Sequence, residues 1–406
     1  MGAIMKLMLV CAIVTVTLSF SAALAQDQSK DLSKPWERVL NIRSVAFSPD
    51  GLLLAGGMGE PKEIGEVAVW DAKTHKVRWT HKMENGVPTV AFSPDNKILA
   101  VGSYAEDCLL LDAGTGRVLR TLSGHGEAAR GVAFSPDGKT LAVASFDQTV
   151  RLWDHAAGKL LHTLKAHTNW VYGVAYSPDG KTLASCSSDR TVRMWDAASG
   201  KLLRTWDDYG SIIRCVAFDP KGQWLVTPCW DGTVKVRDYQ SNKVLANFSV
   251  SSDDWVAIPP GGNVLALGGN AKTVQILPLD LRPANAVEQK RIGELMSLWE
   301  NDSFDVREKA SQDVQKMGPI AEPFLTKAIK ESSSPEVRIR ARDALKVVRM
   351  PQPVAHLKGH HDEVLSGVFS PDGQIFVTGG RDGLVVLWNA VTWKMTATLQ
   401  WPTKSR

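Results

Sequence analysis

The side chains that could do chemistry in this chain are few and scattered. His360, His361 and Asp362 stand together and are metal-ligating types; Asp137-Gly138-Lys139-Thr140 and Asp179-Gly180-Lys181-Thr182 have the composition of a phosphate loop; Cys108, Cys186, Cys215 and Cys229 could ligate or pair. The His360-His361-Asp362 trio is explained in large part by a polar set that recurs along the chain, and the other two lack the spacing their chemistry requires. A phosphate loop places four residues between its glycines and opens a helix, whereas six separate Gly131 from Gly138, and Gly173 from Gly180, with a strand to follow. These are hairpin turns. There is no HExxH zinc helix and no GxSxG nucleophile elbow. No cysteine lies in a CxxC, and each falls in or beside an expected strand, so buried free thiols are expected, with a Cys215 to Cys229 bridge as the alternative. No catalytic constellation, metal site or cofactor motif is complete, although chemistry assembled across distant segments would leave no local motif.

The elements that carry these residues repeat. SVAFSPDGLLLAGG from Ser44 returns as TVAFSPDNKILAVGS, GVAFSPDGKTLAVAS, GVAYSPDGKTLASCS and CVAFDPKGQWLVTP, then as the weaker WVAIPPGGNVLALGG from Trp255, and as GVFSPDGQIFVTGG from Gly367. That makes seven copies. Within a copy, short runs of alternating apolar residues are bounded by SPDG, DGT or Gly- and Asn-containing turns, which predicts four antiparallel strands: GVAFS, TLAVAS, TVRLWD and LLHTL in the third copy.

The repeat of about 42 residues, the His before the first strand and the Trp-Asp ending the third resemble the WD-repeat β-propeller family over nearly all of residues 36–400. The resemblance implies a ring of seven blades without free sheet edges. It also implies a structural hydrogen-bonded set in each full blade: His167, Ser185, Asp189 and Trp195; His360, Thr378, Asp382 and Trp388; and an incomplete His125, Asp147 and Trp153, where Val143 takes the place of the hydroxyl. Recurrence at one offset in several blades speaks against catalysis, because an active site is single. By the same register, the upper face of the ring would present Asn41 and Arg43, Ala128, Arg130 and Phe146, Trp170, Tyr172 and Ser188, Ile212, Arg214 and Trp230, and Glu363, Leu365 and Arg381. Of these, Arg130, Phe146, Trp170, Tyr172, Arg214, Trp230 and Arg381 are the expected partner-binding residues, since Trp, Tyr and Arg dominate interface energetics. The bland alternative is that the large aromatics simply pack between blades.

One block breaks the repeat. TVQIL from Thr273 aligns with a third strand and VAHLKGH from Val354 with a fourth, so residues 281–351 replace a hairpin in blade six. Their periodicity is helical, with Ser303 and Ser334 as caps, Pro335 at a first position and Gly318 as a stop. Val306, Ala310, Val314 and Met317 share one face; Val337, Ala341, Ala344, Leu345 and Val348 share another. Four short helices of this kind resemble a HEAT-like module, and the family's geometry would project it from the lower rim. Arg338, Arg340 and Arg342 alternate round the last helix as a solvated surface, with Glu336 and Asp343 as partners.

The fold class expected is therefore an all-β seven-bladed propeller with a small all-α HEAT-like insertion between the third and fourth strands of blade six. Lys6, an apolar stretch and Ala23-Leu24-Ala25 form a signal peptide expected to be cleaved after Ala25, which places the protein outside the cytoplasm, periplasmic or secreted. An uncleaved anchor is the alternative. The segments are 1–25 signal, 26–38 arm, 39–280 blades one to six, 281–351 helices and 352–406 the remaining strands. A net charge of +4 with Lys and Arg dispersed among Asp and Glu argues against nucleic acid. The expected function is an exported, non-enzymatic scaffold that binds a protein or peptide on the upper face, with the helices as a second contact and no cofactor. An exported propeller enzyme or small-ligand receptor working through the central channel is the other reading; oligomeric state is left open.

Overall fold

The SPDG turn shows why the repeat folds as it does. In the computed structural model, which describes residues 41–250, 254–269, 271–279, 281, 284–350 and 353–402, the Ser48 hydroxyl donates to Asp50 at 2.6 Å and accepts from the Leu53 amide at 2.9 Å. Gly51 closes the turn at φ 71°, a left-handed conformation suited to glycine. The same hydroxyl-to-carboxylate bond recurs at Ser93, Ser135, Ser177 and Ser370. Blade five lacks the serine, and the Asp219 carboxylate accepts from the Trp224 amide at 2.7 Å instead.

These turns join strands into seven four-stranded antiparallel sheets, each in sequence order. The blades span 42–83, 89–122, 129–165, 171–206, 217–249, 255–278 with 355–358, and 364–400. Each pair of consecutive blades encloses its own apolar core. Leu99, Val101 and Leu111 of blade two face Val67, Val69 and Met83 of blade one, and the pattern continues to Trp255 and Ala266 of blade six against Phe376 and Trp388 of blade seven.

The last core closes the ring. Ile42, Leu54, Met58 and Trp70 of blade one pack on Val377, Val385, Leu387 and Leu399 of blade seven. Trp401, just beyond the final strand, stacks edge-on against Trp70 at 5.3 Å, and its Nε1 donates to the buried Glu66 carboxylate at 2.9 Å. On the opposite face the turn glycines of blades one, three, four, five and seven each abut the turn proline of the blade before: a Cβ on Gly180 would lie 3.4 Å from Pro136, and one on Gly51 would lie 3.7 Å from Pro371. Blades seven and one thus meet by the same contact as their neighbours.

The insertion is where its period placed it. The third strand of blade six, Thr273–Pro278, pairs with the fourth, Ala355–Lys358, across the whole helical block. Four helices follow in order: α1 (Ala286–Ser297), α2 (Phe304–Lys316), α3 (Glu322–Glu331) and α4 (Pro335–Val348). Their faces close over Ile292, Leu295, Trp299, Ala310, Val314, Leu325, Ala341, Ala344 and Val348. Asn285 and Glu288 make a reciprocal capping box at α1, Ser334 caps α4, and Gly318 stops α2 at φ 64°. Ser303 stands at the start of α2 but makes no side-chain cap bond. Arg340 pairs with Glu336 at 2.7 Å as expected, whereas Asp343 takes Lys346 at 3.0 Å and Arg338 bonds the Ser332 carbonyl.

The lobe does not merely hang from the lower rim. Its chain leaves and returns there, but the Arg349 carbonyl, capping α4, accepts from the Ser249 amide at 2.7 Å. Ser249 pairs with Thr233 and so marks the opposite end of blade five's outer strand, beside the turn that carries Trp230. The C-terminal end of α4 is therefore bonded to the outer strand of blade five at its upper edge. The expected signal segment and arm lie outside the described residues, and among those described no helix is long and apolar enough to cross a membrane.

Candidate functional site

Two sets of polar and aromatic residues mark the upper ends of blades three, four, five and seven, one buried and one nearer the surface. In blade four, Trp195 Nε1 donates to Ser185 Oγ at 2.9 Å, Ser185 Oγ lies 2.7 Å from His167 Nε2, and His167 Nδ1 lies 2.8 Å from Asp189. Because the indole can only donate, the serine proton goes to Nε2, and Nδ1–H donates to the carboxylate. Blade seven repeats this with Trp388, Thr378, His360 and Asp382 at 3.0, 2.8 and 3.0 Å. In blade three the His125 to Asp147 bond remains at 2.9 Å, but Val143 supplies no hydroxyl, and His125 Nε2 and Trp153 Nε1 are buried without a partner.

Burial lowers the pKa of His167 against the pull of Asp189. Burial opposes ionisation of Asp189 too, yet bonds from His167, Thr191 and the Thr168 amide outweigh it and hold the carboxyl well below the usual carboxylate range. The turn Asp also fixes the surface above it: Asp147 and Asp189 accept from the amide and hydroxyl of Thr149 and Thr191, with Gln148 and Arg190 held at positive φ between them. The imidazoles are enclosed, each about 1% exposed at its side chain.

Blade five carries a variant that the sequence reading missed. Tyr209 stands at the His position, its hydroxyl 2.8 Å from Thr227, and Arg237 stands at the Trp position, 2.6 Å from Asp208. Lys235 joins Asp208 at 3.1 Å and lies over the Tyr209 ring at 4.4 Å. The offset of Tyr209 from Asp231, equal to that of His167 from Asp189, was the available signal.

Above this layer, backbone bonds pair the upper-face residues. The Phe146 amide donates to the Ala128 carbonyl, Ser188 to Trp170, Trp230 to Ile212 and Arg381 to Glu363, all at 2.8–3.1 Å. Phe146 and Trp170 stack at 4.6 Å with planes 16° apart, Tyr172 meets the Phe146 edge at 5.4 Å, and Arg214 lies over Tyr172 at 5.3 Å and over Trp230 at 4.1 Å. Asp254 of blade six, not singled out from sequence, accepts from Trp230 Nε1 and lies 3.5 Å from Arg214. One arc from blade three to blade six results.

Trp170 is 47% and Trp230 37% exposed, while Tyr172 is only 7% exposed and belongs to the core between blades four and five. Arg130 is half-buried and donates to the Pro88 carbonyl at 3.2 Å; Arg381 pairs with Glu363 at 2.9 Å in blade seven. Both lie outside the aromatic stack.

The thiols are free. Burial pushes Cys108 up to about 12 and Cys229 to about 11, and raises Cys186 and the partly buried Cys215 as well, which disfavours the thiolate in each. Among the described residues no three His, Cys, Asp or Glu side chains converge as metal ligands.

Two family descriptions match the chain: the first β-propeller of IFT122 over residues 86–280, and the WD domain, G-beta repeat, over residues 351–389. The matches stop where the helical lobe begins and resume where it ends. No curated protein matches the chain.

Proposed function

The chain belongs to the WD-repeat β-propeller family, a fold commonly used as a protein-interaction scaffold, and we propose that it is an exported, non-enzymatic scaffold whose upper face holds a protein or peptide at blades three to five. One observation carries the reading: Trp170 and Trp230 are exposed yet packed against neighbours, one stacked on Phe146 and the other under Arg214 and bonded to Asp254. Large exposed aromatics held in a single conformation lose little entropy on binding, which is what gives interface hot spots their strength. The end of the helical lobe, beside the Trp230 edge of blade five, supports its role as a second contact.

Trp170→Ala with Trp230→Ala, sparing the buried Tyr172, tests this without opening the core. Loss of partner capture from host extract, with unchanged circular dichroism and Tm, is the expected result; unchanged capture contradicts it. The central-channel alternative is favoured instead if the purified chain turns over substrates in a hydrolase and oxidoreductase screen.

A further inference from the structure

We infer that the segment held on this surface is basic, presenting a lysine or arginine whose cation enters a recess between blades two and three while neighbouring apolar side chains lie on the Phe146–Trp170 stack. The inference rests on the upper-face reading above and names the partner's chemistry. The recess has a volume of about 420 Å³ and is lined by Tyr104, Glu106, Asp107, Glu127 and Ala128. It shares a wall with the stack, since the Ala128 carbonyl accepts the Phe146 amide.

Charge selects the occupant. Three other carboxylates of the upper face are ion-paired: Glu60 with Arg43, Asp254 with Arg214 and Glu363 with Arg381. Glu106, Asp107 and Glu127 have no side-chain hydrogen bond or ion pair among the described residues, so three unpaired carboxylates line the recess, with the Arg130 guanidinium on the Pro88 carbonyl at the same seam of blades two and three. This local sign runs against the net charge of +4. A purely apolar segment would cover these carboxylates without pairing them, which costs desolvation, and an acidic or phosphorylated one would be repelled. A lysine or arginine reverses both effects: its head pairs with the carboxylates while the apolar side chains beside it lie on the Phe146–Trp170 stack.

The test is fluorescence anisotropy on the purified protein with fluorescein-labelled peptides of a Lys-Leu-Gly repeat and its Gln-Leu-Gly and Glu-Leu-Gly counterparts. The lysine peptide should bind at least about tenfold more tightly than either other. Glu106→Gln with Asp107→Asn and Glu127→Gln, all on the recess rim, should reduce it to the level of the glutamine peptide and leave that peptide's own binding unchanged. Equal binding of all three peptides, no binding of any, or an unaltered lysine preference in the triple variant would overturn the inference. If Trp170→Ala weakens every peptide while the carboxylate variant changes nothing, the surface stands and the cation preference falls. If neither variant alters any peptide, both readings fall.

Discussion

Val143 is the single residue whose consequences are sharpest. It leaves His125 Nε2 and Trp153 Nε1 buried and unsatisfied, where blade seven places Thr378 between the same two groups. Threonine is nearly isosteric with valine, so Val143→Thr should add two hydrogen bonds for the loss of one methyl contact and raise unfolding free energy by about 1 kcal/mol in urea titration. Thr378→Val should do the reverse, costing about 2–4 kcal/mol because two buried groups lose their partner at once. The buried pairs also fix the pH response. His167 has a lowered pKa, so below about pH 6.5 the unfolded chain binds protons that the folded one resists; the depressed Asp189 and Asp382 carboxyls add further loss below about pH 4. The urea midpoint should fall steadily as pH drops from 7, and His167→Gln should be less stable at pH 7 but show a shallower fall. A midpoint that rises on acidification contradicts the network. The polar set was legible because His, Asp and Trp recur at fixed offsets, whereas the Tyr209–Arg237 variant was hidden by its change of residue types. Asp254 was missed because the sixth copy departs from the pattern around its first strand.

At the scale of elements, helical period and strand register placed the insertion between the third and fourth strands of blade six, since a block that interrupts one hairpin must return to the same ladder. What could not be read was how the lobe lies. That depends on one backbone bond between Arg349 and Ser249 and on Leu281 packing against the core of blades five and six, neither of which has a periodic signature. Because the lobe has its own core and the blade-six strands pair directly across it, replacing residues 280–353 by a short turn should leave a cooperative propeller. Circular dichroism should then lose its helical component and keep the strand signal. Collapse of the strand signal would mean that the helices are part of the ring's own core.

For the whole molecule, closure rests on side chains. Blades one and seven share an apolar core, and Trp401 fastens it through Trp70 and Glu66. Trp401→Ala should cost about 3–5 kcal/mol, and hydrogen exchange should show the loss concentrated in blades one and seven; loss spread evenly over all blades would contradict a local seam. A closed ring in turn makes the upper face a rigid platform on which Phe146, Trp170, Arg214, Trp230 and Asp254 keep one arrangement. The most direct test of that platform's role is amide hydrogen exchange on the protein with its captured partner. Protection is predicted in peptides covering residues 126–132, 145–149, 168–173, 209–215 and 229–233. Protection confined to the SPDG turns of the lower face, with those peptides unchanged, would contradict it.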